Sequence, residues 1–149
     1  MGGIYAHKSN FLDRHVQVAL TQGRLISASF PTEPESGAGN KHDLLDRVEA
    51  YLAGDPDEFD DVQVALTVPT DQRQVLETVQ TVPYGETVTV AQLERMTPGF
   101  DPDGDHSPEI QQAVAANPVP LFIPTHRVRG VAGTAPAGVA EKLRAVEGL

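Results

Sequence analysis

The chain has 149 residues, 40% of them hydrophobic, which is enough for one compact domain or two small ones and excludes disorder as the default. Its 21 acidic against 11 basic side chains give a net charge of −10, the reverse of what phosphate binding through Lys and Arg requires, and with no cysteine it has neither disulfides nor thiolate metal sites. No apolar run approaches the ~20 residues of a membrane span, residues 1–10 lack a signal-peptide core, and lysine is limited to Lys8, Lys41 and Lys142; the expectation is a cytoplasmic protein with the acidic surface of a salt-adapted, halophilic one and no membrane partner.

Residues 15–20 and 24–30 run apolar or alternate on either side of Thr21-Gln22-Gly23, the pattern of a β-hairpin closed by a short glycine turn. Residues 31–40, rich in Pro, Glu, Ser and Gly, are loop. Leu44, Leu45, Val48, Tyr51 and Leu52 then recur at helical spacing, and Gly54 stands where a C-terminal cap belongs. An acidic connector at 55–61 leads to a strand candidate at 62–68, which Pro69 ends. This half shows no catalytic constellation and reads as a scaffold for the other.

Thr70 has the side chain of an N-cap for a helix over 71–82 that turns Val75, Leu76, Val79 and Val82 inward. After Pro83-Tyr84-Gly85-Glu86-Thr87-Val88, Thr89 and Gln92 have capping-box spacing, which predicts a short helix over 90–96. In the loop at 98–106, Asp101, Asp103 and Asp105 alternate around Gly104. That glycine is at the fourth loop position, not the sixth that an EF-hand turn needs, so the loop reads as solvated and no metal is assigned. Ser107 as N-cap, Pro108 at the first position and Glu109 at the positive end of the dipole open a helix over 108–116. Ile110, Ala113, Val114 and Asn117 share its buried stripe. Gln111 and Gln112 occupy the exposed face, where they either touch base edges or phosphates or are ordinary solvated surface.

The chemically densest stretch is Asn-Pro-Val-Pro-Leu-Phe-Ile-Pro-Thr-His-Arg-Val, residues 117–128. Pro118, Pro120 and Pro124 hold it extended and stiff, so it reads as a buried strand from which Thr125, His126 and Arg127 emerge on rigid backbone. Adjacent residues of such a strand point to opposite faces. Residues 129–137 are short and small, and Val139, Leu143 and Val146 mark a final helix.

Pro124-Thr125-His126-Arg127-Val128, which follows Asn117-Pro118, resembles the Pro-Cys-His-Arg-Val signature of the O6-alkylguanine-DNA alkyltransferases. Pro83 to Val88 resembles the turn before that family's helix-turn-helix, and Glu147-Gly148 resembles its terminal Glu-Gly. The resemblance implies an α/β (α+β) fold, with an N-terminal hairpin, helix and strand scaffold domain at 1–68 and a winged helix-turn-helix-like alkyltransferase domain at 69–149. It implies a monomer without a cofactor, with duplex DNA carrying O6-alkylguanine and other repair proteins as partners. It further implies that Glu147 orients His126, in a polar chain with Asn117. In the family, the alkyl group moves once and irreversibly to the cysteine, and the histidine acts through a water as base. Here the cysteine position is Thr125, the intercalating Arg falls at Pro108, and the phosphate-contacting Tyr falls at Val90. Cysteine-less members usually carry Trp at the first of these and keep the other two. No Lys or Arg lies between Arg95 and Arg127, so Arg127 is either a DNA contact or a brace inside the helix-turn-helix.

A thiol, with a reference pKa of about 8.5, becomes a thiolate beside a base, whereas an aliphatic alcohol titrates many units higher. Thr125 therefore argues against the family's reaction and for a non-enzymatic protein that binds alkylated DNA in repair without alkyl transfer. The alternative is a degenerate member that serves as an interaction or regulatory module with no lesion binding, which explains the missing Cys, Arg and Tyr by one cause. A hydroxyl-nucleophile enzyme built on Thr125, His126 and Glu147 is a third arrangement, disfavoured by the opposite facing of adjacent strand residues.

Overall fold

The computed structural model describes residues 3–100 and 104–149. Three antiparallel strands open the chain, β1 (Gly3–Ser9), β2 (Arg14–Thr21) and β3 (Arg24–Ser29), in the order β1-β2-β3. The hairpin turn is Gln22-Gly23, with φ of 51° and 79°. Two left-handed residues give the turn a twist that matches the strands it joins, which explains the glycine. β1 has no counterpart among the expected elements. Only Ala6 and Ser9 of it are buried, so it has no apolar alternation for a sequence pattern to display.

Helix α1 (Asp43–Leu52) packs Leu44, Leu45, Val48, Tyr51 and Leu52 into the core, as its spacing predicts. His42 caps it, its Nδ1 accepting from the Leu44 N–H at 3.1 Å. Arg47 then folds the acidic connector back onto the helix: its guanidinium donates to both carboxylate oxygens of Asp57 and of Asp61 at 2.8 to 3.0 Å and lies over the Phe59 ring. The expected strand at 62–68 is reduced to one parallel bridge, Leu25 with Val64. The segment is extended, but only Leu25 pairs with it, donating to the Gln63 carbonyl and accepting from the Ala65 N–H.

The second half is built on α2 (Thr70–Val79), α3 (Val90–Met96) and α4 (Ser107–Ala115), with α4 packed against both others. Two expected caps are corrected. Thr70 is the first residue of α2 rather than its cap, which is Pro69. Likewise His106 precedes α4, and the Ser107 N–H is covered from outside by Asp105 Oδ1 at 3.1 Å. α2 also stops at Val79, and tight turns carry the chain to the buried Val82, because Pro83 disfavours helical backbone in the residue before it. The capping box at α3 is present with both halves, Gln92 N–H to Thr89 Oγ1 at 3.1 Å and Thr89 N–H to Gln92 Oε1 at 2.8 Å. Thr89→Ala should cost about 1 kcal/mol; an unshifted urea midpoint would show that the box contributes nothing.

The stretch 117–128 is buried nearly throughout, but it is not a strand. Leu121 has φ of 79°, and Thr125–Arg127 is a 3₁₀ turn. Prolines make the run stiff and remove ladder donors, so its remaining N–H groups bond locally, Ile123 to the Val119 carbonyl and Arg127 to the Pro124 carbonyl. Past the turn, β5 (Val128–Arg129) pairs in parallel with β4 (Val88–Thr89), which ties the lead-in of α3 to the motif. Helix α5 (Ala137–Val146) closes the chain. Buried side chains from both halves form one core, with Phe59 edge-on to Phe122 at 5.0 Å. Among the described residues no helix is long and apolar enough to cross a membrane.

Candidate functional site

Two buried polar hubs meet at the 3₁₀ turn. The first is Asn117, whose Nδ2 donates to the Ile123 carbonyl at 2.9 Å and to Thr125 Oγ1 at 3.2 Å, while its Oδ1 accepts from the Val119 N–H at 3.0 Å. Thr134 Oγ1 donates to the Asn117 carbonyl at 2.6 Å and so pins the following loop to the same point. Thr125 is thus held as an acceptor, and its own hydroxyl proton is directed elsewhere.

The second hub is Glu147. Its Oε1 accepts from Arg127 Nε at 2.7 Å and the Gly85 N–H at 3.0 Å. Its Oε2 accepts from His126 Nε2 at 2.7 Å, Arg127 Nη2 at 3.0 Å and the Tyr51 hydroxyl. Gly85 has φ of 80° and closes the turn from Pro83 to Glu86, which is what aims its N–H at the carboxylate. Burial alone pushes this carboxyl up; the bonds from His126, Arg127, Gly85 and Tyr51 reverse that and hold its pKa at about 2. Burial, with the bond to Glu147, raises the Tyr51 phenol. Burial pulls His126 below its ordinary value, against the opposing pull of Glu147.

An ionised carboxylate only accepts, so His126 Nε2 carries the proton and Nδ1 keeps its lone pair. Nδ1 is buried and has no hydrogen-bond partner among the described residues. The residues expected as one polar chain are therefore two separate sets, Asn117 with Thr125, and Glu147 with His126. The 3₁₀ turn corrects the opposite-face expectation too, because Thr125 and His126 line the same cavity of about 700 Å³. The short loop after Arg129 forms its far wall, and Gly133 approaches so closely that a Cβ there would lie 2.6 Å from Thr125 Oγ1.

The expected DNA-facing residues separate. Pro108, Gln111 and Gln112 are exposed on α4, and Val90 is half-buried at the start of α3. Of the two roles open to Arg127, the structure corrects the DNA contact and favours the internal brace. It is 3% exposed, and its guanidinium is taken up by Glu147, the Val82 carbonyl at 2.7 Å and the face of Tyr84. Asp101 and Asp103 of the acidic loop lie outside the described residues. Sequence reasoning misses Tyr51, which it shows only as one member of an apolar stripe, and Arg129 and Arg144, which line the cavity from β5 and α5.

Solved structures define the class of fold. A variant of the O6-methylguanine methyltransferase of Mycobacterium tuberculosis superposes with a TM-score of 0.78 over 99% of this chain and 93% of its own, at 22% identity. M. tuberculosis OGT in complex with DNA gives 0.76 over 97% and 91%, also at 22% identity. Sequence then narrows the class. The family described as 6-O-methylguanine DNA methyltransferase, DNA binding domain, matches residues 70–147. A methylated-DNA–protein-cysteine methyltransferase of Methanopyrus kandleri is 34% identical over 97 residues, 65% of this chain and 70% of the relative. A Thermus thermophilus DNA base-flipping protein is 33% identical over 106 residues, 70% and 68% of the two chains. The chain belongs to the 6-O-methylguanine DNA methyltransferase family.

Proposed function

We propose that this protein binds O6-alkylated guanine in DNA without accepting the alkyl group. The observation that carries the reading is Thr125 beside a cavity whose other polar machinery, the Glu147–His126 pair and the Asn117 amide, is assembled. An alcohol there is a weak nucleophile towards an sp3 carbon, since so little of it ionises beside a base that readily ionises a thiol. The cavity lies within the ~300–1,000 Å³ range of small-molecule sites. Relatives supply the macromolecule: one solved neighbour is described in complex with DNA, and one sequence relative as a base-flipping protein. Other repair proteins would then act on the marked lesion.

The net charge of −10, with Pro108 and Val90 on the helices expected to face DNA, favours a second reading, an interaction module without lesion binding. Extruding a base costs a few kcal/mol that a wedge or a phosphate grip must offset. Duplexes with and without O6-methylguanine distinguish the two when titrated across a salt series up to about 1 M KCl, where the Debye length is ~3 Å. The lesion reading expects selectivity of about ten-fold or more that persists at high salt. Equal or absent binding would leave the interaction module, and labelled methyl found on the protein would end the non-catalytic half of the proposal.

A further inference from the structure

The electrostatics of the cavity run against those of the chain. In a protein with 21 acidic side chains, no Asp or Glu among the described residues lines this cavity, while Arg129 and Arg144 both do. They reach it from different elements, Arg129 from β5 and Arg144 from α5. Arg129 is exposed, and its backbone is fixed by the pairing of β5 with Thr89. Arg144 is half-buried and acts on His126, its charge opposing imidazole protonation as a minor addition to burial. The arginine ion pairs found among the described residues engage Arg47, Arg73 and Arg127 and leave both cavity arginines out. Thr87 adds a hydroxyl to the same wall. A cleft whose charged side chains share one sign focuses their field on a ligand of the other sign, and an arginine fork matches a phosphate in particular.

We infer that Arg129 and Arg144 grip a backbone phosphate flanking the alkylguanine whose base enters the cavity, so that the site binds a nucleotide rather than a base alone. The inference rests on the lesion-binding reading above. It places the phosphate grip on the cavity wall, in a chain whose α4 carries no Lys or Arg. It also reconciles an acidic surface with a nucleic-acid ligand: attraction is local, and the rest of the molecule repels the duplex.

The test compares O6-methyl-2′-deoxyguanosine with its 3′- and 5′-monophosphates, and with inorganic phosphate, by calorimetric titration of the intact protein. One nucleotide should bind about ten-fold or more tightly than the nucleoside, as charge-assisted bonds to phosphate predict, and the advantage should shrink with salt. Arg129→Gln and Arg144→Gln should each reduce that advantage, and in the double variant nucleoside and nucleotides should bind alike. Should Arg144→Gln melt early, the exposed Arg129→Gln decides alone. Equal affinity of nucleoside and nucleotides overturns the phosphate grip and leaves the lesion reading standing. No binding by either removes both. Inorganic phosphate binding as tightly as the nucleotide would reduce the pair to a general anion site and overturn the inference.

Discussion

Thr125→Cys is expected to convert this protein into a single-turnover alkyl acceptor when it is given O6-benzylguanine as the free base. That substrate enters without extrusion from a duplex, so the outcome reports on the cavity rather than on DNA contacts. The side chain at 125 already accepts from Asn117 Nδ2, a bond that also favours a thiolate. Gly133 leaves room for the larger sulfur where any Cβ would stand 2.6 Å from the present oxygen. His126 presents an Nδ1 with no partner among the described residues as the base, oriented from behind by Glu147. Intact-mass spectrometry should find the benzyl adduct on Thr125→Cys and none on the wild type or on Thr125→Ser. In the cysteine background, His126→Gln should slow labelling by ~10²–10⁴-fold, the usual contribution of a positioned base. A folded Thr125→Cys protein that stays unmodified would mean that more than the sulfur atom has been lost, and an adduct on the wild type would mean that the alcohol suffices.

Local chemistry made much of this site legible in the sequence. The Gln22-Gly23 hairpin, the α1 stripe and the Thr89–Gln92 box depend on residues a few positions apart, and each forms as its spacing requires. The failures share a dependence on partners distant in sequence. Residues 62–68 have a strand pattern but meet only Leu25, and the proline-braced run is stiff without becoming a strand because no neighbour supplies a full ladder. Tyr51 carries the same ambiguity. Its helical spacing predicts burial correctly, yet its hydroxyl finds Glu147 some 96 residues later, which no pattern around Tyr51 encodes. Arg127 sits in a motif otherwise made of site residues, and position alone does not reveal that its guanidinium turns inward to Glu147. The half that reads as scaffold therefore contributes a side chain to the site, and the arginine whose position allows either a contact or a brace contributes to the scaffold.

Glu147→Ala should cost roughly 3–5 kcal/mol, the range for breaking a buried ion pair by removing one partner, against a total stability on the order of 5–15 kcal/mol. Glu147 receives five donors, from Arg127 twice, His126, Tyr51 and the Gly85 N–H, so its loss leaves the buried guanidinium only the Val82 carbonyl and the exposed Glu58 carboxylate at 3.7 Å, and leaves several polar groups unpaired. An apolar replacement of the pair, Arg127→Met with Glu147→Leu, should not recover the loss. It removes two charges but still orphans His126 Nε2, the Tyr51 hydroxyl and the Gly85 N–H. The pH profile provides an independent check. Glu147 is held at about 2 in the fold against an ordinary 4.5, so its contribution is fully present above pH 4.5 and disappears as pH falls towards 2. That depression corresponds to about 3 kcal/mol. His126 is lowered from its ordinary 6.5, so its contribution, too, is present above that pH and is lost as protonation favours the unfolded chain. Wild-type stability should therefore start to decline below about pH 6.5 and decline more steeply below about pH 4.5. Urea midpoints at about pH 7 and about pH 3.5 should show that Glu147→Ala has lost most of the lower step. If variant and wild type decline in parallel through that window, the carboxylate is not what makes the fold acid-labile, and the hub does not hold the site in the way its geometry requires.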